Sequence, residues 1–275
     1  MIPKIIHYVW VGDKPKPDSV LKCIDSWKKY CPDWEIMEWG NDVLGEIDCQ
    51  YVRDALNAKK WAFVSDYIRL YALKKCGGVY MDTDVEVTAP LDKFLEHKFF
   101  MGHENYHGEF SVSTALIGAE KNQKIVSDLI DIYHKLSFLL PDGSLDLTPN
   151  PVRFCEYFET QLNAPDLHIG TETIDLGNDI ILYPWWYFCI PSDDRNENWA
   201  IHHFDASWID PWNRKDKKQF NIGRKILKFV RFKKHRGKLK QSAPVTVADN
   251  EKLLLAWPWF DHRRYAIVIS SGDKK

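Results

Sequence analysis

Residues 61–84 constrain the fold more than any other part of the sequence. Apolar residues recur at helical spacing over 61–75, basic residues close the last turn, and Gly77-Gly78 offers a C-cap. The apolar segment 79–81 then predicts a buried strand that ends at Asp82. A helix joined through two glycines to a short buried strand is typical of an α/β sheet with helices packed against it.

The N-terminal segment predicts a strand–helix–strand unit, the usual start of a Rossmann-like nucleotide-binding domain. A buried strand is predicted at 4–11, a helix at 18–30 with Asp18-Ser19 as its N-cap, and an alternating strand at 34–39. Further strands are predicted at 98–101, 115–118, 180–184 and 199–204, the last as a core strand, and further helices at 122–138 and 151–162.

Composition excludes several classes of protein. A chain of 275 residues with 45% apolar and 28% charged residues suits one soluble α/β domain with an appendage. Its six cysteines include no Cys-x-x-Cys pair, which predicts reduced thiols in a cytoplasmic protein rather than a zinc site or a disulfide framework. No apolar run of the length needed to span a bilayer occurs in the sequence.

Two carboxylates, Asp82 and Asp84, follow the strand predicted at 79–81. On an extended backbone they point to the same side and present hard oxygen ligands to one divalent cation, with substrate phosphate oxygens completing the shell. Glu86 alternates onto the same face, where a surface role is equally compatible with the pattern. Chance supplies such a pair about twice in a chain this rich in aspartate, so the neighbouring motifs must decide its meaning.

Two further pairs of polar residues are candidates for a site. Asp66 and Arg69 share a face of the predicted helix, as an ordinary surface ion pair or as a fork for an oxygen-rich ligand. His202 and His203 alternate in direction, so only one can face the carboxylates, where an imidazole would suit Mn²⁺.

Taken together, these motifs resemble a known family of enzymes. The order is an Ile-Ile-His-Tyr-Val-Trp strand, Ser65-Asp66-x-x-Arg69, Gly77-Gly78-x-Tyr80-x-Asp82-x-Asp84, and Ile201-His202-His203 followed by Ser207-Trp208. This arrangement resembles the capsular-polysaccharide glycosyltransferases of glycosyltransferase family 32 and, more distantly, the glucosylating domains of large clostridial toxins. The resemblance covers about residues 2–210 and implies a GT-A-type nucleotide-diphospho-sugar transferase fold with a C-terminal extension.

The resemblance also implies a role for each residue. Mn²⁺ or Mg²⁺ is expected at Asp82, Asp84 and one of the two histidines, with His202 favoured over His203. Ser65, Asp66 and Arg69 are expected at the donor sugar, and Tyr8 or Trp10 against the nucleobase. Ser207 and Trp208 are expected on a segment that closes over the donor phosphates. Asp66, Arg69 and Asp84 are the residues expected to matter most for catalysis.

The implied reaction is transfer of a hexosyl unit with retention of configuration. The donor is a nucleotide sugar, with UDP favoured over GDP, and the acceptor is a glycan or lipid-linked glycan of bacterial surface polysaccharide synthesis. The leaving phosphate itself can deprotonate the acceptor, so no enzymic base is required. Residues 103–114 are expected to line the acceptor side, with His103, Glu104, His107 and Glu109 as polar candidates without assigned roles.

Two alternatives come from other classes of function. A phosphohydrolase of the haloacid dehalogenase type also places Asp-x-Asp after an apolar strand, with the first Asp as nucleophile, and Asp193-Asp194 could supply its downstream acids. Against it, the helix bearing Asp66 and Arg69 would be unexplained. A non-catalytic carbohydrate-binding or membrane-binding protein of the same fold is the second alternative.

The sequence predicts a catalytic domain over residues 1–212 and a basic helical segment with a tail over 213–275. Between 214 and 240 there are 13 Lys or Arg residues and one acid, interleaved with apolar residues. This pattern fits an interfacial helix on an anionic membrane, or a solvated helix face. Nucleic acid is not expected as a partner, because the rest of the chain is acidic. The sequence does not indicate an oligomeric state.

Overall fold

A computed structural model describes residues 1–106, 109–192 and 196–205. The strands are β1 (Ile5–Val9), β2 (Glu35–Trp39), β3 (Gly78–Met81), β4 (Val85–Val87), β5 (Phe99–Tyr106), β6 (Glu109–Ala119), β7 (Ile174–Asp175), β8 (Ile180–Tyr183) and β9 (Ala200–His202). The helices are α1 (Asp18–Tyr30), α2 (Gln50–Asn57), α3 (Trp61–Cys76), α4 (Lys124–Tyr133), α5 (Asn150–Gln161) and α6 (Trp185–Phe188). Short 3-10 helices occupy Asn41–Gly45 and Asp92–Phe94.

Seven strands form one mixed sheet in the order β2-β1-β3-β6-β5-β8-β7. Strand β1 runs parallel to β2 and β3, and β5 runs parallel to β8, while the other neighbours are antiparallel. The predicted Rossmann-like mixed sheet flanked by helices is confirmed. Because β1 and β3 are parallel neighbours, the residues that follow them, Trp10 and Asp82, lie at the same edge of the sheet.

Strand β3 is buried on both faces, which explains its continuous apolar character. Tyr80 packs into the core formed with α3, α4 and α5. Val79 and Met81 point to the opposite face and pack in the second core, with α1 and the region around Phe94. Helices on both faces therefore hold this strand in place immediately before the two aspartates.

The glycine pair that admits β3 is required by its backbone conformation. Gly77 and Gly78 have φ of +70° and +114°, in the left-handed region that favours glycine. A Cβ on Gly78 would lie 2.6 Å from the carbonyl oxygen of Ile5 in β1. The pair thus lets the chain leave α3 and enter the sheet directly beside β1.

The structure corrects several predicted elements. Helix α1 begins at Asp18 itself, and its N-cap is Pro17, without a side-chain cap. The strands predicted at 98–101 and 115–118 are parts of the longer antiparallel pair β5 and β6. The last strand, β9, pairs with β4 in a separate two-stranded sheet and does not join the core sheet.

Within the described residues no helix is both long and apolar enough to cross a membrane. All six cysteines are free thiols.

Candidate functional site

Three side chains that the sequence placed far apart meet at the end of β3. Asp82, Asp84 and His202 each offer one ligand atom, and these atoms all lie within 4.8 Å of one another. The sequence predicted that the two aspartates lie on an extended backbone, and this prediction is wrong. They lie on a turn between β3 and β4, in which the Val85 N–H donates to the Asp82 carbonyl over 3.1 Å. Pairing of Val85 with His202 across β4 and β9 brings the imidazole to the carboxylates.

Charge couples the histidine to its nearest carboxylate. His202 Nε2 lies 3.5 Å from Asp84 Oδ1, and the Asp205 N–H donates to Asp84 Oδ2 over 3.0 Å. Burial opposes the charged form of His202, but Asp84 outweighs it and raises the pKa of the imidazole. Burial likewise opposes the charged form of Asp84, yet the hydrogen bond from His202 and the Asp205 N–H bring its pKa below the ordinary value. The pair is therefore polarised, with a carboxylate that stays ionised.

These three residues fit a divalent cation. Two carboxylates and one imidazole are a donor set that suits Mn²⁺, and the carboxylates also suit Mg²⁺. The Nδ1 atom of His202 is buried and has no hydrogen-bond partner among the described residues, so the ring is not committed to another group through that nitrogen. Asp82 and Asp84 keep side-chain exposures of 28% and 17%, which leaves them reachable from solvent.

Asp66 and Arg69 form a buried ion pair next to the carboxylate of Asp82. Their exposed fractions are 7% and 5%, and Arg69 Nη2 lies 2.9 Å from Asp66 Oδ1 and 3.4 Å from Asp82 Oδ1. Arg69 Nη1 donates to the carbonyl of Thr114 over 2.8 Å. Burial raises the pKa of Asp66, and the Arg69 charge opposes that rise. The surface ion pair considered from the sequence is excluded, because both side chains are inside the protein.

Tyr80 links this ion pair to Asp82. Its hydroxyl donates to Asp82 Oδ1 over 2.6 Å and lies 3.2 Å from Ser65 Oγ. The Arg69 guanidinium carbon lies 4.7 Å from the centroid of the Tyr80 ring, a cation–π contact. The structure thus brings Ser65, Asp66, Arg69 and Asp82 into one connected group, as the predicted donor site requires.

Comparison with known proteins agrees with this geometry. Residues 17–101 match the family described as the glycosyltransferase sugar-binding region containing the DXD motif, and this range holds both aspartates and the Asp66–Arg69 pair. Residues 17–101 are therefore similar to the sugar-binding region of DXD-type glycosyltransferases. The predicted resemblance to glycosyltransferases is confirmed at this level.

Curated relatives match about half of the chain. An uncharacterized glycosyltransferase of Acanthamoeba polyphaga mimivirus is 26% identical over 155 residues, which cover 54% of this chain and 60% of the relative. Inositol phosphoceramide mannosyltransferase 3 of Schizosaccharomyces pombe is 25% identical over 148 residues, covering 50% of this chain and 38% of the relative. The chain therefore spans less than two thirds of the length of either relative. Among solved structures, the PaToxG glycosyltransferase is 18% identical with a TM-score of 0.44, over 59% of this chain and 70% of that one.

The two aromatic residues expected at the nucleobase differ in their surroundings. Tyr8 is only 6% exposed, packs edge-on against Trp27 at 5.5 Å, and donates its hydroxyl to Glu38 over 2.5 Å. Trp10 is partly exposed and donates its indole N–H to the carbonyl of Lys14 over 2.8 Å. Of the two rings, Trp10 is therefore the more accessible from solvent.

His203 does not join the cluster of Asp82, Asp84 and His202. Its Nε2 lies 3.0 Å from Glu86 Oε2 and its side chain is 41% exposed. Strand alternation, which the sequence predicted, turns the two histidines to opposite sides, and the structure gives the inner side to His202. Glu86 accordingly pairs with His203 and not with the two aspartates.

Asn150 and Tyr80 were not given roles from the sequence. The Asn150 backbone N–H donates to Asp66 Oδ2 over 3.2 Å, and its side-chain amide donates to the Asp66 carbonyl over 2.7 Å. No local pattern links residues 84 positions apart, so Asn150 could not be found from the sequence. Tyr80 could have been found from the sequence, because it lies two residues before Asp82, and this spacing puts both side chains on one face of an extended backbone.

Several predicted features lie outside the described residues or cannot be placed by them. The features outside the described residues are His107, the acidic pair Asp193-Asp194, Ser207, Trp208, the boundary at 212 and the basic segment 214–240. Of the other acceptor-side candidates, His103 is fully buried and its Nδ1 lies 3.0 Å from the Tyr183 carbonyl, while Glu104 accepts a hydrogen bond from Ser111 over 3.3 Å. Burial raises the pKa of Glu104. Glu109 is the first residue of β6.

Proposed function

We propose that this chain is a metal-dependent glycosyltransferase that moves a hexosyl unit from a nucleotide sugar to a glycan or lipid-linked glycan, with retention of configuration. The observation that carries the proposal is the convergence of Asp82, Asp84 and His202 within 4.8 Å, next to the buried Asp66–Arg69 pair. The match of residues 17–101 to a sugar-binding region favours glycosyl transfer over the phosphohydrolase alternative.

Asp82, Asp84 and His202 would hold the cation, Mn²⁺ or Mg²⁺. A divalent cation at this position supplies positive charge against the negative charge that develops on the departing diphosphate. The chain itself fixes the ligands: Tyr80 holds Asp82 by a 2.6 Å hydrogen bond, and the Asp205 N–H holds Asp84. Ligands fixed in this way need little reorganisation during the reaction.

The donor sugar would be oriented by Asp66 and Arg69. A buried carboxylate and a guanidinium held by three neighbours present rigid hydrogen-bonding groups to sugar hydroxyls. Their burial excludes water, which strengthens each such contact. Ser65, whose hydroxyl lies 3.2 Å from that of Tyr80, is placed beside this pair, and Trp10 would stack on the nucleobase.

The reaction breaks the bond between the anomeric carbon and the β-phosphate oxygen and forms a bond from that carbon to an acceptor hydroxyl oxygen. The acceptor proton leaves with the departing phosphate, so the products are a glycoside and a nucleoside diphosphate. The proposal includes retention of the anomeric configuration and a role in bacterial surface polysaccharide synthesis, and both rest on the family resemblance. Ser207 and Trp208 are proposed to close over the donor phosphates, also on that basis.

The donor base and sugar are proposed as a UDP-hexose, with GDP-mannose as the alternative. The S. pombe relative is named as an inositol phosphoceramide mannosyltransferase, which keeps a mannosyl donor and a lipid acceptor within the proposal. The basic segment 214–240 is proposed, from its sequence alone, to bind an anionic membrane surface where such an acceptor would lie. Absence of flotation with anionic vesicles would contradict that part.

A thermal-shift panel tests the proposed donor. UDP-glucose, UDP-galactose, UDP-N-acetylglucosamine and GDP-mannose are each added with and without Mn²⁺. We expect one of them to raise the Tm by several degrees only when Mn²⁺ is present, because ligand that binds the native state stabilises it. Asp84→Ala should abolish the shift, whereas Glu86→Ala, which removes a nearby carboxylate outside the cluster, should retain it. A panel without any shift would overturn the proposal.

Turnover separates the two remaining alternatives. A glycosyltransferase should release nucleoside diphosphate from the donor that gives the shift, and a non-catalytic protein of the same fold should not. Hydrolysis of p-nitrophenyl phosphate with Mg²⁺, abolished by Asp82→Asn, would instead favour the phosphohydrolase.

A further inference from the structure

Four polar atoms in and around the Asp66–Arg69 pair are buried and have no hydrogen-bond partner among the described residues, and the same is true of the hydroxyl of the adjacent Tyr51. The four atoms are Arg69 Nε, Tyr133 Oη, Asn150 Oδ1 and Arg153 Nε. Buried polar atoms in proteins are almost always paired, either with protein groups or with internal water. Several of them in one neighbourhood therefore need a common explanation.

Ring contacts place Tyr133 next to Arg153. The guanidinium carbon of Arg153 lies 5.2 Å from the centroid of the Tyr133 ring and 5.7 Å from that of Tyr51, and the two rings meet edge-on at 4.9 Å. Arg153 is anchored from the other side, because its Nη2 donates to Asp146 over 2.6 Å. Tyr133 is fully buried at the end of α4, so its hydroxyl has no access to bulk solvent.

Packing places Tyr133 beside the part of α3 that carries the Asp66–Arg69 pair, because its ring meets that of Tyr67, the residue after Asp66, edge-on at 5.8 Å. Burial raises the pKa of the Tyr133 phenol well above its ordinary value, the Asp66 charge adds to the rise, and Arg153 and Arg69 oppose it. Asn150 joins the same group through its two hydrogen bonds to Asp66. The residues Tyr133, Asn150 and Arg153 thus form an inner polar cluster around the buried side of Asp66 and Arg69.

The inner polar cluster offers what an internal water molecule requires. Two guanidinium N–H groups and a hydroxyl can donate, the amide oxygen can accept, and a buried water typically makes about three such bonds. We propose that Tyr133 is a positioning residue that, through internal water, holds Asp66 and Arg69 in the orientation that binds the donor sugar. This inference rests on the proposed function, in which those two residues contact sugar hydroxyls.

Calorimetric titration of wild type and Tyr133→Phe tests the inference. The probes are UDP-glucose and GDP-mannose with Mn²⁺, each compared with its own nucleoside diphosphate. Loss of one neutral hydrogen bond should weaken binding of the nucleotide sugar about fivefold. Binding of the nucleoside diphosphate should change by less than about twofold, because the cation ligands and Trp10 are untouched. The matched control is Tyr157→Phe, which removes a buried hydroxyl bonded to Asp128 on the neighbouring helix.

The outcomes separate this inference from the proposed function. Wild type that binds neither nucleotide sugar would overturn the proposed function, and the inference with it. If Tyr133→Phe binds a nucleotide sugar as tightly as wild type does, that result would overturn the inference and leave the proposed function standing. Equal losses for sugar nucleotide and diphosphate, or the same loss in Tyr157→Phe, would show a general structural role and also overturn the inference.

Discussion

The ion pair between Asp66 and Arg69 allows a quantitative test of how the donor site is built. Both side chains are more than nine-tenths buried, and their charged groups are 2.9 Å apart. Arg69→Met would leave the Asp66 carboxylate buried with one remaining hydrogen bond, from the Asn150 backbone N–H. Breaking a buried pair on one side costs about 3–5 kcal/mol, because the remaining charge is uncompensated.

The assay is a double-mutant cycle by urea denaturation at pH 7. Wild type, Arg69→Met, Asp66→Asn and the double variant are compared, which removes the contributions of Thr114 and Tyr80 from the coupling term. We expect the double variant to be more stable than the sum of the single losses predicts, with a coupling energy of about 2 kcal/mol. A coupling energy below about 0.5 kcal/mol would refute the reasoning.

A pH dependence provides an internal check on the same variants. Without Arg69, burial and the Asp82 charge hold the folded-state pKa of Asp66 above its ordinary value, against the lowering effect of hydrogen bonding from Asn150. The folded state then binds more protons than the unfolded state between the ordinary pKa of an aspartate and the raised pKa of Asp66, so the unfolding free energy of Arg69→Met should rise as pH falls towards the ordinary value. The double variant, which lacks the carboxylate, should not show this rise.

Three more predictions concern the sheet and the metal ligands. Burial lowers the pKa of His7 to about 4, so the folded state binds fewer protons than the unfolded state between pH 6.5 and 4. The free energy of unfolding should therefore fall by about 3 kcal/mol as pH falls through this window. Denaturation curves of His7→Gln should lack this pH dependence. Gly78→Ala should lower the free energy of unfolding by more than 2 kcal/mol in the same measurement, since its Cβ would strike the adjacent strand, whereas Gly143→Ala, with positive φ but open space, should cost only about 1 kcal/mol. Tyr80→Phe removes the hydroxyl that holds Asp82 and should weaken Mn²⁺ binding about tenfold by calorimetry; unchanged affinity would contradict the role given to that hydrogen bond.

The local part of the site could be predicted from the sequence because its signals are local. Helical spacing, two glycines and a short apolar strand indicate α3, β3 and the aspartates that follow within 24 residues. Asp66 and Arg69 lie on one helix, so their shared face follows from the helical repeat. Periodicity could not show that this face is buried, since that depends on α4 and α5 packing over it.

The rest of the site could not be predicted, because it depends on contacts between segments that are distant in the sequence. His202 reaches the aspartates only because β9 pairs with β4 outside the core sheet, and the sequence predicted β9 as a core strand. Asn150 and Tyr133 approach Asp66 from α5 and α4, elements separated from α3 by several strands. Side-chain alternation predicted that one histidine faces inward, and the structure was needed to decide which.

Binding of Mn²⁺ tests the central claim most directly. Electron paramagnetic resonance reports free Mn²⁺ during titration into the protein, with and without UDP. The account predicts one bound Mn²⁺ per chain in the presence of UDP, affinity reduced at least about tenfold in Asp84→Ala and His202→Ala, and no change in Glu86→Ala or His203→Ala. Absence of bound Mn²⁺ in wild type, or binding that the Asp84 and His202 substitutions leave intact, would contradict the account.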